Sequence, residues 1–190
     1  MPRSPAEMIR AVSASMKERT GRSVAEWVDL VESSGIDPLD QRAVRRWLKS
    51  EHGLPQNSRY AVAHAAARAA GWVPPTTEEQ IDRQYTGDKA SLRPTFDRLR
   101  EILEGLGDDV VLEGRSSYIP FVRARQFAAV AAATRTRIDV GLRFVEPPGS
   151  SVLQPATAPG QATHKLSVIS VDEVTGEVER VLRVAYEQNG

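Results

Sequence analysis

The chain contains no cysteine, which excludes disulfides, thiolate nucleophiles and Cys-ligated zinc. It has no apolar run near the roughly 18 residues that a membrane-spanning helix needs. Its first residues, Met1-Pro2-Arg3-Ser4, lead into a helical pattern with no apolar signal-peptide core. Charge of one sign is also lacking, because 25 basic residues balance 25 acidic ones. What remains is an ordinary globular composition, 26% charged and 41% hydrophobic over 190 residues. The expectation is a cytoplasmic protein without a membrane segment, long enough for one domain or two small ones.

Catalytic signatures are missing as well. The three histidines, His52, His64 and His164, are scattered and form no ligand pair. No GxSxG elbow and no GxGxxG loop occurs. Gly21-Arg22-Ser23 after Thr20 lacks the Lys, the first Gly and the preceding strand of a phosphate-binding Walker loop. Asp108 and Asp109, with Glu113 nearby, read as a solvated turn in which Asp makes local hydrogen bonds. No cofactor, metal site or catalytic residue is expected, and the reading leans away from an enzyme.

What the chain does have is segregated charge. Residues 114–144 carry 6 basic residues against 1 acidic, and residues 76–113 carry 5 against 10. Arg outnumbers Lys by 21 to 4, and guanidinium suits bidentate contacts to phosphate and carboxylate.

Periodicity divides the chain at Val73-Pro74-Pro75-Thr76-Thr77. Before it, four short helices are expected. The first runs from about Pro5 to Arg19, with Met8, Ile9, Val12 and Met16 at helical spacing. Ser23-Val24-Ala25-Glu26 is a capping box opening the second. Asp40 starts the third, with Val44, Trp47 and Leu48 inward, and Asn57 or Ser58 starts an Ala-rich fourth. After the break come a short helix over Glu78 to Tyr85 and a longer one carrying Leu92, Phe96, Leu99, Leu103 and Leu106. Strands are expected at Val110–Leu112, at Ser117–Arg125 with an edge or bulge at Pro120, and at His164–Ser170. Phe127–Val130 reads as a strand or a helical turn. The clearest strand is Thr134–Phe144, where Thr136, Ile138, Val140, Leu142 and Phe144 alternate with polar residues and Gly141. That alternation predicts one buried and one wet face, and so an antiparallel sheet. Prolines and glycines across 146–163 predict a flexible loop without regular structure. Asp172 is expected to cap a last helix carrying Val174, Val178, Val181, Leu182 and Ala185.

The fold class read from this pattern is α+β. A helical bundle over 1–75 precedes a two-layer domain over 76–190, whose antiparallel sheet is covered by helices.

Two basic constellations are candidates for binding an anion. On the third helix, Arg42, Arg45, Arg46 and Lys49 stand at i, i+3, i+4 and i+7, in one stripe. On the sheet, Arg135, Arg137 and Arg143 share one face of the strongest strand. Arg123 and Arg125 join from its neighbour, and Tyr118 offers an aromatic surface. The even alternation of the strand favours the sheet as the larger contributor.

Two sets of motifs carry a family resemblance. In the N-terminal half they are Thr20-Gly21-Arg22-Ser23, Glu26-Trp27, Trp47-Leu48-Lys49 and His52-Gly53-Leu54, followed by the Ala-rich helix. In the C-terminal half they include Leu92-Arg93-Pro94, Leu106-Gly107-Asp108-Asp109-Val110, Gln126-Phe127-Ala128, Thr134-Arg135-Thr136-Arg137-Ile138-Asp139, Gly141-Leu142 and Ala185-Tyr186. Over nearly its whole length the chain resembles bacterial two-domain proteins that carry two domains of unknown function in series. The resemblance implies no activity. It implies a C-terminal domain type that also occurs behind nuclease-like domains and is sometimes labelled a predicted transport protein. Where similar sequences have a Gly- and His-rich turn after His-Gly-Leu, this chain reads Pro55-Gln56-Asn57-Ser58-Arg59-Tyr60, so a function carried by that turn is not expected here.

The functional expectation is a non-enzymatic binding or adaptor protein for an anionic partner, nucleic acid foremost. The alternatives are an enzyme with its site between the sheet face and the 146–163 loop, or a protein–protein interaction module built on the bundle.

Overall fold

A computed structural model describes residues 11–190. The first part of the first expected helix, residues 5–10 with Met8 and Ile9, lies outside the described residues. The described residues fall into two compact units that meet in sequence at Pro74 and Pro75.

The N-terminal unit is helical. Residues 11–14 are helical and α1 is Met16–Thr20. Gly21 ends it in the left-handed region, at φ 78°, and its N–H bonds the Lys17 carbonyl. The capping box is formed as the sequence requires. Ser23 accepts from the Glu26 N–H and Glu26 reaches back to the Ser23 N–H, opening α2, Val24–Ser33. Asp40 caps α3, Gln41–Ser50, by accepting from the N–H groups of Arg42 and Ala43. The Ala-rich helix α4 is Gln56–Ala69; it starts from Pro55, one or two residues earlier than expected. Its Ala63, Ala66 and Ala67 are wholly buried, and Ala61 nearly so. Small side chains let α2 and α3 pack closely on it around Met16, Trp27, Val31, Val44, Leu48 and Leu54.

The second unit is α+β. Thr76 and Glu79 form another capping box for α5, Thr77–Gln84. A 3₁₀ turn, Gly87–Leu92, leads into α6, Arg93–Glu104, with Pro94 in its first turn. The strands are β1 Val111–Leu112, β2 Ile119–Val122, β3 Gln126–Ala132, β4 Ile138–Leu142, β5 Gln154–Pro155 and β6 His164–Val168. They form one antiparallel sheet in the order β1-β2-β3-β4-β6-β5. The chain finishes with α7, Gly176–Glu187. Its N-cap is Thr175 rather than Asp172, which sits in a 3₁₀ turn, Val171–Glu173. Phe96, Leu99 and Leu103 of α6 and Val178, Val181, Leu182 and Ala185 of α7 share a core with Ile119, Phe121, Val130, Val140, Leu142 and Leu166 of the sheet. The segment 127–130 is strand, not a helical turn. Pro120 lies in β2, an interior strand, and the register slips by a bulge between Phe121 and Val122.

Two expectations fail here. Strand β4 is shorter than 134–144, and it has no wet face: all five of its residues are buried. The face opposite the helices is covered at Gln126, Ala129 and Gly141 by residues 159–162 of the 146–163 segment, which was expected to have no regular structure. This strap contains β5, where Pro155 is tolerated because it lies on the sheet edge. The strap is also fastened elsewhere. The Ala156 N–H bonds the Thr163 carbonyl at 3.0 Å and the Thr163 N–H bonds the Leu142 carbonyl at 2.9 Å. Arg180 donates to the Gly149 carbonyl at 3.0 Å. A Cβ added to Gly141 would collide with the Pro159 carbonyl, and one added to Gly160 would collide with the Gln126 side chain. Glycine at both positions is what lets strap and sheet touch.

Candidate functional site

The sheet constellation does not assemble as expected. Arg135 lies in the turn before β4 and Arg143 just after its end, so neither stands on a strand face. Arg137, also outside the strand, folds onto Asp139, with Nε 2.9 Å from Oδ1. Asp139 is 7% exposed and also accepts from Ser167 Oγ at 2.8 Å and Lys165 Nζ at 3.0 Å. Burial alone would push the Asp139 carboxyl up. Its bonds from Ser167 and Lys165, with the charges of Lys165 and Arg137, outweigh that and hold it below the ordinary value. Arg135 meets Asp88 at 3.2 Å, with both side chains mostly exposed. Arg143 donates to the Gln161 side chain of the strap at 2.9 Å.

Arg123 is committed as well. Its Nε lies 2.6 Å from Asp109 Oδ2, and its guanidinium stacks 4.3 Å from the Tyr186 ring centroid. The Tyr186 hydroxyl donates to Asp109 Oδ1 at 2.7 Å. The Arg123 bond first, then that of Tyr186, pulls the Asp109 carboxyl below its ordinary value. Asp109 therefore fastens α7 and the residue after β2 to the turn after α6. No group of three or more His, Asp or Glu placed to hold a metal ion occurs among the described residues. Arg125 is exposed and Tyr118 half-buried ahead of β2. The five sheet arginines are thus spread over turns and ends, and three of them face a carboxylate.

The third-helix constellation does assemble. Arg42, Arg45, Arg46 and Lys49 occupy about 100° of the α3 surface at 100° per residue, opposite the buried Val44 and Leu48. Arg42, Arg46 and Lys49 are exposed. Arg45 lies 4.5 Å over the ring of Tyr60, which is 49% exposed. Among the described residues none of the four has a carboxylate within ion-pair distance.

A second cationic feature of the bundle had no place in the sequence reading as a site. Arg19, Thr20, Arg22, Trp27, His52 and the turn 53–55 bound a cleft of about 360 Å³. Trp27 forms its floor, only 4% exposed, with its indole N–H bonded to Thr20 Oγ1 at 2.9 Å. Thr20 Oγ1 in turn donates to the Met16 carbonyl at 2.8 Å. His52 is gripped edge-on by two indoles, 5.2 Å from Trp27 and 4.7 Å from Trp47. The Arg22 guanidinium lies 5.1 Å over Trp27. Thr20-Gly21-Arg22-Ser23, Glu26-Trp27, Trp47 and His52-Gly53-Leu54, which carried the N-terminal resemblance, all contribute. The signal was present in the sequence as motifs, but nothing in their spacing said that they meet.

By architecture this is a two-domain protein, a helical unit followed by an α+β unit with an open antiparallel sheet. The chain belongs to the family described as domain of unknown function (DUF5655), which matches residues 81–189. Residues 8–68 match a second family, domain of unknown function (DUF4287). No curated protein and no solved structure matches the chain. No described helix is long and apolar enough to cross a membrane.

Proposed function

We propose that the protein is a non-enzymatic, cytoplasmic binding protein for nucleic acid, and that α3 of the bundle, rather than the sheet, is its main contact. One observation carries this reading. Four cations lie on one helix face with no acidic partner among the described residues, while Arg123, Arg135 and Arg137 each face a carboxylate. An unpaired guanidinium can replace a phosphate counterion; one already held by Asp must first give up that partner. Tyr60 beside Arg45 adds a ring on which a base or a sugar can rest.

The test is a titration of labelled single- and double-stranded oligonucleotides at several salt concentrations. Arg42→Gln with Arg46→Gln should weaken binding and lower the slope of log affinity against log salt by about 0.9 for each phosphate no longer neutralised. Arg135→Gln with Arg137→Gln should change the slope less. Absence of binding by the unaltered protein at low salt would remove this reading. A loss confined to the Arg135 and Arg137 variant would move the binding surface to the second unit.

A further inference from the structure

The cleft between α1 and the end of α3 shares no residue with the α3 stripe, so it poses a separate question. Two left-handed glycines shape it: Gly21 at φ 78° and Gly53 at φ 61°. Each turns the chain sharply after a helix, and together they bring the 19–22 segment beside His52. The floor is rigid, because Trp27 is buried and hydrogen-bonded through Thr20 to the α1 backbone. The rim is cationic. Arg19 and Arg22 are exposed and have no ion-pair partner among the described residues.

Glu26, the acid on which the Arg22 charge acts, is already engaged. The Ser23 N–H first, then the Ser23 hydroxyl, holds its carboxyl below the ordinary value, with the charges of Lys17 and Arg22 adding to that. His52 is exposed yet fixed in place by two tryptophans, and neither ring nitrogen has a hydrogen-bond partner among the described residues. A surface histidine held still with both nitrogens open is a preset donor.

We propose that this cleft binds a phosphate monoester. Two guanidiniums match the charge of about −1.5 to −2 that such a group carries near pH 7, which exceeds the single charge of a carboxylate. They supply paired N–H donors for its terminal oxygens, and the imidazole N–H supplies another. The volume of about 360 Å³ is larger than a bare phosphate needs and falls at the lower end of small-molecule sites. The group therefore arrives attached to a body of sugar or nucleoside size. Two sources offer this chemistry, a free small phosphate and the phosphorylated end of a nucleic-acid strand.

The experiment uses the full chain, followed by tryptophan fluorescence and calorimetry. The probes are a nucleoside 5′-monophosphate, the same nucleoside without phosphate, and one oligonucleotide with a 5′-phosphate or a 5′-hydroxyl. The expected result is a preference of at least about tenfold for the phosphorylated member of a pair, since charge-assisted bonds to Arg are the strong ones. Preference within the nucleoside pair identifies a free ligand; preference within the oligonucleotide pair alone identifies a strand end. Arg19→Gln with Arg22→Gln should abolish the preference while lowering the melting temperature by no more than the few degrees that loss of the Arg22–Trp27 contact costs, and His52→Gln should reduce it several-fold. Arg42→Gln with Arg46→Gln should lower overall oligonucleotide affinity and leave the preference intact, which separates this site from the α3 surface. Equal binding of phosphorylated and unphosphorylated members in both pairs overturns the proposal. So does a preference that survives in the Arg19 and Arg22 variant.

Discussion

The two units spend their acidic residues differently. In the bundle, the three acids whose side chains accept hydrogen bonds among the described residues accept them from backbone N–H groups. Glu26 closes the capping box with Ser23, Asp37 takes the Leu39 N–H, and Asp40 takes those of Arg42 and Ala43. In the second unit, acids go largely to guanidiniums. Arg93 holds Asp82 and Asp97, Arg98 holds Glu101 and Glu179, and Arg100 holds Glu78 and Glu104. Every ion pair found among the described residues lies in that second unit. None of these capping carboxylates makes an ion pair with a side chain among the described residues. The bundle's cations are therefore left for something outside the fold, whereas those of the sheet unit hold the fold together. Local charge counts hide this, because the segment with the largest basic excess, 114–144, is the one whose arginines meet acids from elsewhere in the chain.

The contrast breaks most sharply at the strap. Gly141→Val should be the most damaging single change, destabilising the sheet unit by about 3 kcal/mol as an overpacked contact, since the new side chain meets the Pro159 carbonyl and Ala162. All three tryptophans, Trp27, Trp47 and Trp72, lie in the bundle. Tryptophan fluorescence should accordingly report an unchanged bundle transition while far-UV dichroism shows the loss. A variant that melts like the parent would mean that the strap leaves the sheet at little cost.

Asp139→Asn comes next, at about 2 kcal/mol. It removes the charge that Lys165 and Arg137 share, and breaking a largely buried pair from one side leaves the other member uncompensated. The sign with pH follows from the lowered carboxyl. A group that titrates lower in the folded state contributes stability above its unfolded value, about 3.9 for Asp. That contribution is lost as pH falls through the folded value. Glu177, held down to about 2 by Arg180 and then Ser150, acts in the same direction. Denaturant unfolding followed by dichroism should therefore show stability falling from about pH 4.5 towards 2, with a shallower fall in the Asp139 variant. An identical slope would mean that Asp139 is not titrating against its partners.

The smallest expected effect sharpens the comparison. Arg42→Gln with Arg46→Gln should change bundle stability by less than about 0.5 kcal/mol, read by tryptophan fluorescence, because neither side chain has an acidic partner to lose. A large loss would show that these cations serve the fold after all.

The sequence made local features legible and tertiary ones not. Ser23 with Glu26, Asp40 ahead of α3, Pro94 in the first turn of α6 and the inward positions of α7 all follow from chemistry within four residues. Thr134–Phe144 went wrong because alternation records only which residues are apolar. Asp139 and Gly141 look like a wet face, yet Gly141 lies under a strap some twenty residues further on, and Asp139 is held by Arg137, Lys165 and Ser167. The α3 stripe was visible because helical spacing alone aligns Arg42, Arg45, Arg46 and Lys49. The sheet arginines looked equally well aligned, and what disperses them is where the strand begins and ends. The cleft was illegible as a cleft, because Arg22 and His52 are thirty residues apart and meet through the packing of α2 and α3 on the alanines of α4.

The strap also bears on which sequence changes this architecture can absorb. A proline-rich connection is ordinarily where insertions accumulate and where aligned relatives drift apart. Here that freedom is confined to its first part, around Gly149, where an added side chain would meet open space. At Pro159, Gly160 and Ala162 the same connection lies against the sheet and has no such freedom. Gly141 faces the Pro159 carbonyl and Ala162, and Gly160 faces Gln126 and Ala129, so neither can enlarge unless the segment facing it is rebuilt at the same time.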